Sequence, residues 1–219
     1  AGDIIDQDAA GDTGAVADIT ASGLLMKAGS GIGAGGNHIE TTVTTLTAVA
    51  VADGVFVTES SGVTVDTLTV NVNRVDSTAT ETLTAYAAQA DLVTGSSGNI
   101  VLVTTAGSIT LEDGDINGAA DGGTNGYAIS ANGSGSILLD ANTAGSDITA
   151  KSDILSGAGH ITLTAANGIN LNSGVDAATA TTGTISLDAE AGAIVMDGTA
   201  NATATGSSLR LNAYTNITV

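Results

Sequence analysis

The sequence predicts an all-β chain wound into a parallel β-helix, a β-solenoid with coils of about 24 residues. Three observations predict it. Four phrases in the second half of the chain recur at a constant interval. Apolar and variable positions alternate within each phrase. The composition supplies material for a thin core only.

The phrases are GSILLDAN from Gly135, GHITLTAA from Gly159, GTISLDAE from Gly183 and SSLRLNAY from Ser207, each starting 24 residues after the one before. Aligned without a gap, they put Ile137, Ile161, Ile185 and Leu209 in one column and Leu139, Leu163, Leu187 and Leu211 in a second. A third column holds Ala141, Ala165, Ala189 and Ala213. Between the first two runs a variable, mostly polar column of Leu138, Thr162, Ser186 and Arg210. Side chains that alternate with period two belong to a strand with one buried face. The column Asp140, Thr164, Asp188 and Asn212 is expected at a corner, where short polar side chains hydrogen-bond a turn.

A second strand follows each first one, centred on Ile148, Ile169, Ile194 and Ile217, which lie 21, 25 and 23 residues apart. Loops of varying length between fixed strands give such loose spacing. A weaker third element is expected near Asp153 and Ile154, Val175 and Ala202. A strand this short cannot bury its apolar face alone, so successive coils must stack in parallel. At roughly 4.8 Å per coil, about nine coils would make a rod some 40 Å long.

Upstream, GNIVLVTTAGSITLED supplies Ile100 and Ile109 as first and second strands. Ile137 follows Ile100 by 37 residues, so this coil carries an insertion, placed at 112–126 where turn residues replace apolar alternation. Residues 1–97 are less regular and are read as further coils with longer connections, including the β-branched runs TTVTTLTAVAV, GVFVTES and VTVDTLTVNVNRV. No Pro-rich or charge-rich linker divides the chain, so 1–219 is read as a single solenoid segment.

Composition agrees. Hydrophobic residues make up 42% of the chain but aromatic ones only 2%, so large buried rings cannot build the core. The 30 Gly fit tight corners, and with no Pro no strand loses a backbone donor. Disorder would combine the net charge of −19 with low hydrophobicity, whereas mean hydropathy is +0.31.

Partners are narrowed by charge. Lys27, Arg74, Lys151 and Arg210 stand against 23 acidic residues, which excludes a phosphate-binding footprint and hence nucleic acid. No apolar run approaches the roughly 18 residues of a membrane span. Cysteine is absent, compatible with an exposed surface protein held without disulfides. The start has neither an initiator Met nor a basic-then-apolar signal region, so the chain reads as an internal or processed piece.

The phrases AGDIIDQDAAG, ADITASGLLMKAGSGIG, HIETTVTTLTAVA and GVFVTES, together with the GxIxLxA text after residue 98, resemble the repeat regions of filamentous-haemagglutinin-like bacterial surface proteins. The resemblance covers nearly the whole chain through degenerate phrases. It implies a right-handed β-helix within a large secreted protein of adhesion, matrix or surface fibres, with no catalytic residues to carry over. The expected function is therefore a structural module of an extracellular or cell-surface fibre, not an enzyme. The alternative is an adhesin shaft with a lateral face for a glycan or host surface. A polysaccharide-active β-helix stands third, since carboxylates and cations are not gathered into a constellation.

Asp113, Asp115, Asn117 and Asp121 form the best candidate metal cluster, because DGDINGAAD matches the first half of a calcium loop, with Gly118 at the sharp turn. Thr124 occupies the twelfth position where a bidentate Glu belongs, which favours a solvated acidic turn over bound calcium. No other cofactor is expected. His38 and His160 have no companion at ligand spacing. Read end to start, the termini give NITVAGDIID, which continues the local idiom and shows no polar cap. Copies or repeats are therefore expected to join head to tail, Val219 beside Ala1.

Overall fold

A computed structural model of the chain describes residues 2–7, 16–112 and 126–219. All regular structure among them is β. Two long strands come first, β1 (Ile19–Ala28) and β2 (Ile39–Ala50). Next are β3 (Val55–Glu59), β4 (Val63–Val65), β5 (Asn71–Val75), β6 (Glu81–Ala85) and β7 (Leu92–Thr94). One coil then carries β8 (Ile100–Thr104), β9 (Ile109–Leu111) and β10 (Tyr127–Ala131). Three regular coils follow: β11 (Ile137–Ala141), β12 (Ile148–Ala150) and β13 (Asp153–Ser156); β14 (Ile161–Ala165), β15 (Ile169–Leu171) and β16 (Asp176–Thr179); β17 (Ile185–Ala189), β18 (Ile194–Met196) and β19 (Asn201–Ala204). The last described turn is β20 (Leu209–Ala213) and β21 (Ile217–Thr218).

Nineteen of these strands form one parallel hydrogen-bonded system wound around an axis, a parallel β-helix. On its first face β3, β8, β11, β14, β17 and β20 stack in that order. The predicted columns hold residue for residue, Ile137 on Ile161 on Ile185 on Leu209. Bridges extend this column through Val55 and Ile32 to Ile4, so it has eight rungs among the described residues. The expected nine assumed 24 residues throughout, whereas Val55 to Ile100 spans 45 residues and Ile100 to Ile137 spans 37. The second face stacks β4, β9, β12, β15, β18 and β21. The third stacks β7, β10, β13, β16 and β19, and so turns the weak third element into a full sheet.

Five-residue strands on the first face bury alternate residues, so Ile, Leu and Ala of each ILLDA-type phrase face inward. Asp140, Thr164, Asp188 and Asn212 consequently stand outward within the strands, not at a corner as the sequence suggested. The last two are linked across coils: Asn212 Nδ2 donates to Asp188 at 2.7 Å and Arg210 does so at 2.9 Å, and these bonds, Asn212 first, hold the Asp188 carboxyl below its ordinary range.

The coils approach closely at the corner before the first face. Gly98, Gly135, Gly159 and Gly183 stack there, and a Cβ on each would strike the backbone carbonyl oxygen of the coil before, at Asp53, Gly98, Gly135 and Gly159 respectively. Buried hydroxyls pin the same corner. Thr94 and Thr179 donate to the carbonyls of Gly98 and Gly183 at 2.9 Å, and Ser156 donates to that of Gly135 at 2.7 Å. Each buried hydroxyl thus has its partner, which removes the penalty for desolvating it.

The two long strands of the early coils bend around the faces without sharp corners within them. β2 runs twelve residues around all three faces, pairing in turn with β3, β4 and β7, and β1 follows it in register from Ile19 to Ala28. The run VTVDTLTVNVNRV splits, contrary to its reading as solenoid coil. Val63–Val65 is a solenoid strand, whereas β5 pairs antiparallel with β6 in an exposed hairpin arm. At the arm's tip Asp76 Oδ1 accepts from Thr78 N, Thr78 Oγ1 and Thr80 N at 2.7–3.0 Å, which lets Ala79 adopt a positive φ of 62°. At its base Gln89 Nε2 donates to the Met26 carbonyl (2.9 Å) and to Thr47 Oγ1 (3.1 Å). Leu68 lies directly over Gly23, where a Cβ would crowd it.

Candidate functional site

The predicted calcium cluster, Asp113, Asp115, Asn117 and Asp121, lies outside the described residues. Its described flank is tied to the next coil, since Lys151 Nζ sits 2.6 Å from Glu112 Oε1.

Both histidines serve as rungs between coils. Thr184 N–H donates to His160 Nδ1 at 3.0 Å, which fixes that nitrogen as an acceptor. His38 Nδ1 lies 2.8 Å from Thr58 Oγ1, its ring is tilted against Phe56 at 5.9 Å between centroids, and burial pushes its pKa down. The polar strand-edge reading of His160 agrees with its Thr184 contact.

Among the described residues, Asp6, Asp18 and Glu40 bring carboxylate oxygens within 4.8 Å of one another. Glu40 is only 4% exposed, and its backbone N–H donates to Asp18 Oδ2 at 3.3 Å. Burial, and then the hydrogen bond to and charge of Asp18 and the charge of Asp6, push the Glu40 carboxyl up to about 7. Near neutrality the Glu40 carboxyl is therefore protonated part of the time. One oxygen each would give a divalent cation three ligands, fewer than the six to eight that calcium takes. Sequence reading missed this cluster. Its one signal was the 22-residue interval between Asp18 and Glu40, a coil length, within the stretch whose register was unread.

A groove of about 420 Å³ opens between the arm's returning leg and the outer side of the third face. Leu25, Lys27, Val49, Val93, Tyr86 and Tyr127 line it, and none of its described lining side chains is acidic. β1, β2 and β7 bring the first four into adjacent outward positions, while the arm folds Tyr86 back over them. Lys151 and Arg210 are engaged in ion pairs; Lys27 makes none among the described residues. No helix among the described residues is long and apolar enough to cross a membrane.

No protein-family model, curated protein or solved structure matches this chain.

Proposed function

We propose that the chain is a structural repeat module of an extracellular fibre or surface matrix, continued end to end by further coils. The observation that carries this reading is the open rung at β20 and β21. Leu209 and Ile217 prolong the two apolar columns yet are 43% and 46% exposed, against 1% for Ile185 and 0% for Ile194 directly beneath them. A rung that exposes column residues and unpaired strand edges is completed by another coil of the same geometry. The resemblance to surface-fibre repeats supports the same reading, and such a module works by stacking and not by catalysis. Electron microscopy of the native material tests it. Rods longer than the eight-rung segment are expected, with a denatured mass far above 21.0 kDa if the repeats are covalent and equal to it if copies stack. A native 21.0 kDa protein that stays monomeric at all concentrations would defeat the proposal.

A second reading, an adhesin shaft that holds a glycan on its lateral face, is favoured by one feature. The groove beside the arm gathers Tyr86, Tyr127 and Lys27 on an otherwise acidic rod.

A further inference from the structure

We propose that this groove binds a short uronate-bearing saccharide, its carboxylate at Lys27 and its rings against Tyr86 and Tyr127. The inference rests on the lateral-face reading and is independent of fibre formation, so the elongation experiments do not bear on it.

Convergence is the first support. The chain has three Tyr and four basic residues in 219, yet two of the Tyr and one Lys line a single groove. It has 23 acidic residues, and none of the described ones lines that groove. A cation set among apolar and aromatic surface, with no acid among the described lining residues, is complementary to an anion that also carries apolar faces. The volume lies within the usual range for small-ligand sites, about 300–1,000 Å³.

Strand pairing narrows the ligand. A peptide captured by strand addition needs an unpaired edge. Between the floor strands the backbone offers no such ladder, since β2 is already paired with β1 and β7, and β7 with β2 and β10; among the described residues only the outer edge of β1 lacks a strand partner. Recognition falls to side chains: phenol hydroxyls for ring hydroxyls, aromatic faces for the C–H faces of a sugar, and an ammonium for a carboxylate. At low salt the mutual repulsion of two bodies of net charge −19 disfavours a second copy of the chain as occupant. The groove is also preformed. Gln89 anchors the arm to Met26 and Thr47, so closing the wall costs little order on binding.

Calorimetric titration of the whole chain with trigalacturonate, beside neutral maltotriose, tests the assignment. Saturable binding is expected for trigalacturonate, about tenfold tighter than for maltotriose. Lys27→Gln should lose about that tenfold and Lys27→Arg should recover it, while Tyr86→Ala weakens both sugars. Lys27 and Tyr86 are exposed, so the variants should melt with the wild type. Absence of saturation at millimolar trigalacturonate would overturn the proposal. So would equal affinity for the neutral sugar, or unchanged affinity in Lys27→Gln. Self-association that both variants abolish would show a second copy in the groove and would overturn it too.

Discussion

At Gly159 one methyl group decides whether two coils can stack. The backbone there passes so close to Gly135 that a Cβ would fall on its carbonyl carbon and oxygen, and that carbonyl, held by the buried Ser156 hydroxyl two residues before a paired strand, cannot step aside. Gly159→Ala should therefore cost roughly 1–3 kcal/mol in denaturant unfolding, as overpacking does. Gly36→Ala, where an added Cβ meets nothing, should stay within about 0.5 kcal/mol of wild type. Equal effects at the two sites would remove the close-approach account. Glu40 poses the other residue-scale question. Its carboxyl titrates near 7 in the fold against an ordinary 4.5, so the folded state favours the protonated form. The stability this adds is complete below about pH 4.5 and is lost as pH rises through about 7. Melting followed across that window should show wild type falling while Glu40→Gln does not; parallel curves would mean that the buried carboxyl is not the titrating group.

At the scale of the element, strands after residue 98 were legible because each coil repeats the same inward Ile, Leu and Ala at one interval. The arm was not. In VTVDTLTVNVNRV the alternation of β-branched residues continues from β4 into β5, and period two marks a strand without saying whether its face meets a core or water. Burial distinguishes them, since β4 is inward on alternate residues whereas every residue of β5 is exposed. The groove was illegible for the same reason, because only the arm's fold-back carries Tyr86 onto the third face. An arm that contributes nothing to the core should be removable. Replacing residues 71–85 with a short Gly-containing turn should change the melting temperature of the solenoid by no more than a surface substitution does. A deletion that melts the rod would instead give the arm a part in folding. This arm lies between β4 of the second face and β7 of the third, and the sequence read as an insertion at 112–126 falls between β9 and β10, the corresponding strands of the next coil. Solenoids confine insertions to one side in this way, because a single corner can open without breaking the ladders elsewhere.

For the whole molecule the balance is between open ends and charge. β20 and β21 each have one strand partner among the described residues, and their apolar column residues lie open at that rung. Burying the exposed 43% of Leu209 and 46% of Ile217 under another coil gives roughly 1 kcal/mol for each, besides closing a row of backbone hydrogen bonds. Opposing this is the mutual repulsion of bodies at −19, which reaches about 30 Å at 0.01 M salt but only about 3 Å at 1 M. Contact at a rung is far shorter in range than the repulsion at low salt. The 219-residue chain should thus remain dispersed at about 0.01 M salt and elongate with protein concentration as salt approaches 1 M, followed by sedimentation velocity. Leu209→Lys with Ile217→Lys should abolish elongation and barely alter melting, because neither side chain is enclosed in the single segment. Elongation that survives this double change, or that weakens as salt rises, would place the contact on the sides of the rod instead of its end.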